Sequence, residues 1–314
     1  MLKQIPKLAP RIALIVVLIA SYGTVLVELV HDWIRDPNYG HGFLIPFASA
    51  YFLWKRRAEL RRPGDAPSMW GLAGLGVAMA LLVLGTAGAE VFTQRVSLLL
   101  ALASLVLFLN GWRHVRLVAF PIALLFLAIP LPYVIYYGLT APMQAFAAKV
   151  AVWGLQAVGV PSVVQGNVIH LPQGSLEVAE ACSGIRSLYA FLAVGALVAQ
   201  SMSIPFWGRL LVFSLTIPLS VAGNSFRVFS SGIGAWVVGP QVTKGTVHQL
   251  FGVLVFGVSL GIFILIKKAA KRLWSSGTSS PPSSSAFPGP MPRSSATDRP
   301  PWSTSPNSKR SPPS

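Results

Sequence analysis

Residues 12–30 read Ile-Ala-Leu-Ile-Val-Val-Leu-Ile-Ala-Ser-Tyr-Gly-Thr-Val-Leu-Val-Glu-Leu-Val. One carboxylate interrupts an otherwise uncharged run. As a helix the run is about as long as the ~20 apolar residues that cross a bilayer. Lys3, Lys7 and Arg11 precede it, and basic flanks stay cytoplasmic, so it reads as a retained first span pointing outward. Similar runs recur along the chain. Their apolar residues are continuous, not alternating, which excludes a membrane barrel. The expected fold is therefore an all-α polytopic membrane protein.

Composition agrees. Hydrophobic residues make up 53% and charged residues 11% of the 314-residue chain, against roughly 25% charged in soluble domains. The net charge of +16 does not point to nucleic acid, because the basic residues fall in short clusters between apolar runs, as topology signals do. A single cysteine excludes an internal disulfide, and no Cys/His spacing marks structural zinc. No metal or other cofactor is expected.

Taken in order, the basic clusters give about eight transmembrane helices. The second runs from about Phe43 to Trp54, before Lys55, Arg56, Arg57, Arg61 and Arg62. The third spans Trp70–Ala87 and the fourth Val96–Leu109, with Arg113, His114 and Arg116 in the inner loop that follows. The fifth runs from Leu117 to Ile129 and breaks at Pro130-Leu-Pro132. Residues 140–160 read as an interfacial or re-entrant helix. Residues 163–181 read as two short strands, a small extracytoplasmic hairpin. The sixth, seventh and eighth spans are Ile185–Ala199, Leu210–Ala222 and Leu250–Ile266. Residues 1–274 form the transmembrane domain. The Ser/Pro-rich tail, 275–314, cannot bury a core and is expected to be disordered in the cytoplasm. Both termini fall inside.

This topology puts three residues with useful chemistry on the extracytoplasmic face, at neighbouring helix ends: Cys182, Arg227 and His248. A thiolate is a nucleophile, and a helix start or a nearby cation stabilises it. Arg186 is four residues on, sharing a helical face with Cys182 if the helix includes both. His248 has the chemistry to protonate a leaving amine, and Arg227 to hold an oxyanion, with Asn224 helping or orienting it. Plainer roles compete. Arg186 and Arg227 have stems that snorkel, and Glu177 and Glu180 fit solvated or ion-pairing positions. His41 fits a turn as well as a site contact, His170 a structural place in the hairpin, and His31 and His114 loop positions. Paired intramembrane acids and a nucleotide loop are absent from the sequence.

The stretches Glu-Ala-Cys-Ser-Gly-Ile-Arg-Ser-Leu (180–188), Asn-Ser-Phe-Arg-Val (224–228) and His-Gln-Leu-Phe-Gly (248–252) resemble the three motifs of the exosortase/archaeosortase family. Tyr-Gly-His-Gly-Phe-Leu-Ile-Pro (39–46) and Phe-Leu-Ala-Ile-Pro-Leu-Pro (126–132) agree with it, in order. The resemblance implies a membrane cysteine enzyme of the bacterial inner membrane that acts like sortase on an unrelated fold. It implies partners: exported proteins ending in a tripartite signal (a short motif such as Pro-Glu-Pro, a transmembrane helix and a basic cluster), an amine or other acceptor, and membrane lipid. It implies Cys182 as nucleophile with Arg227 and His248 as catalytic partners, in a cell that makes exopolysaccharide. Some family members add a soluble domain after the last span, where this chain has only its tail. Two other readings stay open: a protease with water as sole acceptor, and a non-enzymatic polysaccharide-export or scaffold protein.

Overall fold

The computed structural model describes residues 5–178, 184–239, 241 and 245–276, with backbone only at 5–11, 245–249 and 275–276. The described chain is 80% helical. Helix α1 (Ile5–Arg35) is followed by a 3-10 turn (Gly40–Phe43), α2 (Leu44–Lys55), the short α3 (Arg57–Leu60), α4 (Met69–Ala87) and α5 (Val91–Phe126). Helix α6 (Tyr133–Ala157) leads into strands β1 (Val163–Gln165), β2 (Val168–Leu171) and β3 (Gly174–Glu177). Helices α7 (Ile185–Gln200), α8 (Phe206–Ser214), α9 (Thr216–Val237) and α10 (Gly245–Ser276) complete the bundle.

Among the described residues five stretches are long and apolar enough to cross a membrane: Ile12–Arg35, Met69–Ala87, Val91–Phe126, Phe206–Val237 and Leu250–Trp274. The expected count of eight is not reached on length and composition, because α2 and α7 are shorter and the expected fourth and fifth spans fall in the one stretch Val91–Phe126. At 1.5 Å per residue α2 and α7 rise only about 18 and 24 Å, against ~30 Å of hydrocarbon. Outward-facing side chains such as Val16, Val17 and Ile19 are exposed, as lipid-facing residues are.

Helix α5 doubles back. Its Arg95 pairs with Asp32 at 2.6 Å, while Trp33, the next residue of α1, donates from Nε1 to the Ala128 carbonyl at 2.8 Å. A straight helix would put Arg95 and Ala128 about 50 Å apart. The reversal lies at Gly111, where φ is +77° and ψ −177°, a region open almost only to glycine. The loop before α4 holds the turn. Asp65 Oδ2 accepts from the Arg113 backbone N–H, and His114, buried and not in a loop as the sequence implied, sits with Nε2 3.1 Å from the Leu60 carbonyl. The Asp65 contact caps the second half of α5 as an Asp N-cap does. Farther along, Pro121 has no N–H, which leaves the Leu117 carbonyl without its helical donor. Arg56 supplies one, Nη1 to O at 3.0 Å.

The segment 140–160 lies mostly within α6, one continuous helix that is not among the stretches long and apolar enough to cross a membrane. After it, Gly166 (φ +63°) and Asn167 turn β1 into β2, and β2 pairs in turn with β3. The result is a three-stranded antiparallel sheet where two strands were expected. Ile169, Leu171 and Val178 pack on the C-terminal halves of α6 and α9 through Ala148, Leu155 and Ala235. The segment expected to be a disordered tail lies outside the described residues beyond Ser276.

Candidate active site

Helices α7, α9 and α10 meet along seams where one side has no Cβ. Gly184 precedes α7 in the left-handed conformation (φ +83°), and a Cβ there would stand 2.7 Å from Asn224 Cγ on α9. Against α10, a Cβ on Gly252 would stand 2.8 Å from Arg227 Cζ, and one on Gly223 would stand 2.6 Å from Ser259 Oγ. Membrane helices lack a hydrophobic drive to associate and rely on small residues for close approach. Hydroxyls add to the seam: Ser187 Oγ donates to the Gly184 carbonyl at 2.8 Å, and Ser220 Oγ donates to Ser187 Oγ at 3.4 Å. Ser187, Ser220, Asn224, Arg227, Gly252 and Ser259 line a cavity of about 30 Å³, room for a water-sized molecule with polar neighbours.

Cys182 and Glu180 lie outside the described residues. Gly184, two residues after Cys182 in the sequence, is the first described residue of this motif. The helical premise for Arg186 is not met, because left-handed Gly184 interrupts the helix and α7 begins at Ile185. Arg186 instead reaches away from α9, donating from Nε to Asn38 Oδ1 at 3.1 Å.

Arg227 and Asn224 share one face of α9. The expectation that the helix ends at Arg227 is corrected: α9 runs on to Val237, its last turns covered by α6 and the sheet. From Arg209 to Arg227 the rise is about 27 Å, close to the hydrocarbon thickness. The pairs Gly223/Ser259 and Arg227/Gly252 show α10 antiparallel to α9. His248 is a position on the α10 backbone one turn before Gly252, about 6 Å along the axis and on the same helical face. The backbone thus brings Gly184, Arg227 and the His248 position to one end of the three helices.

Beneath this end lies a polar and aromatic wall that sequence reasoning only touched at His41. Asn38 Nδ2 donates to the Tyr136 hydroxyl at 3.1 Å. The Leu131 backbone N–H donates to the Tyr39 hydroxyl at 3.3 Å. His41 Nε2 lies 3.1 Å from the Leu127 carbonyl, and its ring stacks on Tyr189 of α7, centroids 5.9 Å apart. The motifs at 39–46 and 126–132 therefore seat the first turns of α7. Burial holds the His41 imidazole below its ordinary pKa, outweighing its backbone hydrogen bonds. Asn38, Tyr136 and Tyr189 gave no sequence signal beyond lying in or beside motifs. His170 sits on the sheet with Nδ1 2.8 Å from Ser175 Oγ, a structural place. Among the described residues no group of three or more His, Cys, Asp or Glu is arranged to hold a metal.

A family model described as transmembrane exosortase matches residues 33–265. No curated protein matches the chain, and no solved structure does.

Proposed function

The chain belongs to the transmembrane exosortase family, and from that premise we propose that it is a cysteine transpeptidase acting on the C-terminal sorting signals of exported proteins. The observation that carries the reading is the pair of close approaches on α9, Gly184 to Asn224 and Gly252 to Arg227. They draw three sequence-distant motif segments to one helix end.

In this mechanism the Cys182 thiolate attacks the scissile carbonyl. The developing oxyanion is held by Arg227, a fixed cation in a site of low dielectric. His248 gives a proton to the departing amine, which leaves as the signal helix, and Cys182 keeps the new C-terminus as a thioester. An amine acceptor, deprotonated by His248, then attacks the thioester and frees the thiol. Asn224 orients Arg227 and the Gly184 turn. Glu180, two residues before the nucleophile in the sequence, serves as an ion-pair partner for a neighbouring cation, and Arg186 positions the α7 start through Asn38.

The proposed setting is the bacterial inner membrane, crossed eight times, with both termini cytoplasmic and the sheet and site on the outer face. The reversal at Gly111 supports separate fourth and fifth crossings, and the basic groups at 55–62, 113–116 and 267–272 support the orientation.

The test is mass spectrometry of a co-expressed protein bearing the tripartite signal, with wild type and with Cys182→Ala. Cleavage by wild type alone, with added mass on the new C-terminus, is the expected result. Cleavage without added mass would make water the acceptor. Equal processing by both would remove Cys182 as nucleophile and favour a scaffold role.

A further inference from the structure

Arg95 plays no part in that chemistry, yet it is one of the most buried charges described. It is 3% exposed, and its Nη2 donates to Asp32 Oδ2 at 2.6 Å. Its Nε–H has no hydrogen-bond partner among the described residues. Arg95 stands where two cavities meet. One, of about 250 Å³, is an apolar slot between α1 and the two halves of α5, lined by Leu18, Ile19, Leu26, Leu99 and Leu102. Ile19 and Leu26 are exposed on the lipid-facing side, so the slot is open to hydrocarbon. The other, of about 530 Å³, is a charged vestibule holding Glu28, Asp32, Arg35 and Glu90 beside Arg95.

We infer that these two cavities together bind one membrane phospholipid with a zwitterionic head group. An acyl chain fills the slot, whose α1 wall from Leu18 to Trp33 rises about 22 Å. The phosphate accepts from Arg95 Nε–H and from Arg35. The head-group ammonium rests on Glu28 and Asp32. A buried guanidinium with an unmet donor is costly in a membrane, and phosphate is the acceptor that fits its edge. A free anion would leave the apolar slot unfilled. A head group with only negative charge would face three carboxylates with two arginines. The site lies on α1 and α5, apart from α7, α9 and α10, so it does not depend on the proposed transpeptidase reaction.

The experiment is native mass spectrometry of the full chain released from nanodiscs made with phosphatidylethanolamine, with phosphatidylglycerol, or with phosphatidylglycerol plus inorganic phosphate. Two variants accompany it. Leu99→Trp fills the slot without touching a charge, and Asp32→Asn with Arg95→Gln removes both charges together. Circular dichroism verifies their fold. One phosphatidylethanolamine retained by wild type is expected, with retention lowered roughly tenfold or more in the charge variant, the scale of one charge-assisted hydrogen bond, and lowered in Leu99→Trp by loss of the acyl chain's place. Equal retention of phosphatidylglycerol would overturn the two-signed head group. Phosphate binding without lipid would reduce the site to an anion hole. Retention unchanged in both folded variants would overturn the site itself.

Discussion

Gly252→Ala separates stability from catalysis. Gly252 lies inside α10, where replacing glycine by alanine favours the helix by about 1 kcal/mol. The new Cβ would stand 2.8 Å from Arg227 Cζ, 2.9 Å from Nη2 and 3.1 Å from Nε, whereas ordinary contact begins at 3.4 Å. The obstacle is the end of a flexible side chain, so the guanidinium gives way by about 0.6 Å while the helices stay packed. A displacement of 1 Å at a reacting centre costs on the order of 100-fold, so this shift should cost roughly tenfold. Gly257→Ala and Gly261→Ala, on the same helix with nothing within 4 Å, carry the propensity gain alone. The assay is signal-peptide processing in membranes beside thermal unfolding of the purified protein. The expected result is a melting temperature at or above wild type in all three variants, with processing slowed in Gly252→Ala only. Wild-type processing by folded Gly252→Ala would refute the placement of Arg227, and equal slowing in all three would make the effect one of helix rigidity.

Gly184→Ala should be harsher, because left-handed backbone costs a Cβ-bearing residue about 1–2 kcal/mol and the Cβ also meets Asn224; processing should be lost while circular dichroism changes little. Gly111→Ala, in backbone closed to alanine at a cost of about 1–3 kcal/mol, should lower the unfolding midpoint without a specific effect on processing of the molecules still folded. The His41 pKa is depressed in the fold, so the unfolded chain takes up its proton first, and stability falls as pH drops through ~6.5. Unfolding measured from pH 7.5 to 5.5 should show that loss in wild type and a smaller one in His41→Gln; identical slopes would place the titration elsewhere.

Hydropathy and charge order are one-dimensional properties, so much of the bundle could be read along the chain. The reversal after Asn110 was visible in Arg113, His114 and Arg116, and the three motif segments were assigned to one membrane face before any geometry was known. Continuous apolar helices hide which side is buried. Nothing in the sequence says that Gly252 rather than Gly257 meets a guanidinium, or that Arg186 turns toward Asn38. The run of α9 past Arg227 was missed because its last turns, rich in glycine and serine, look like a loop until α6 and the sheet cover them. The third strand was missed because Gly166-Asn167 splits what reads as one strand. His114 looked like a loop cation; its burial depends on Leu60, far from it in sequence.

The seat under α7 is built by Asn38, Tyr39, His41 and the carbonyl of Leu127, all made before any residue of the candidate catalytic set leaves the ribosome. Synthesis therefore lays down the mould first and the reactive groups last. A fragment beginning near Tyr133 would carry Cys182, Arg227 and His248 complete and still lack the surface that seats the first turns of α7. Supplied in trans, the first 132 residues would have to act as an assembly factor for the rest.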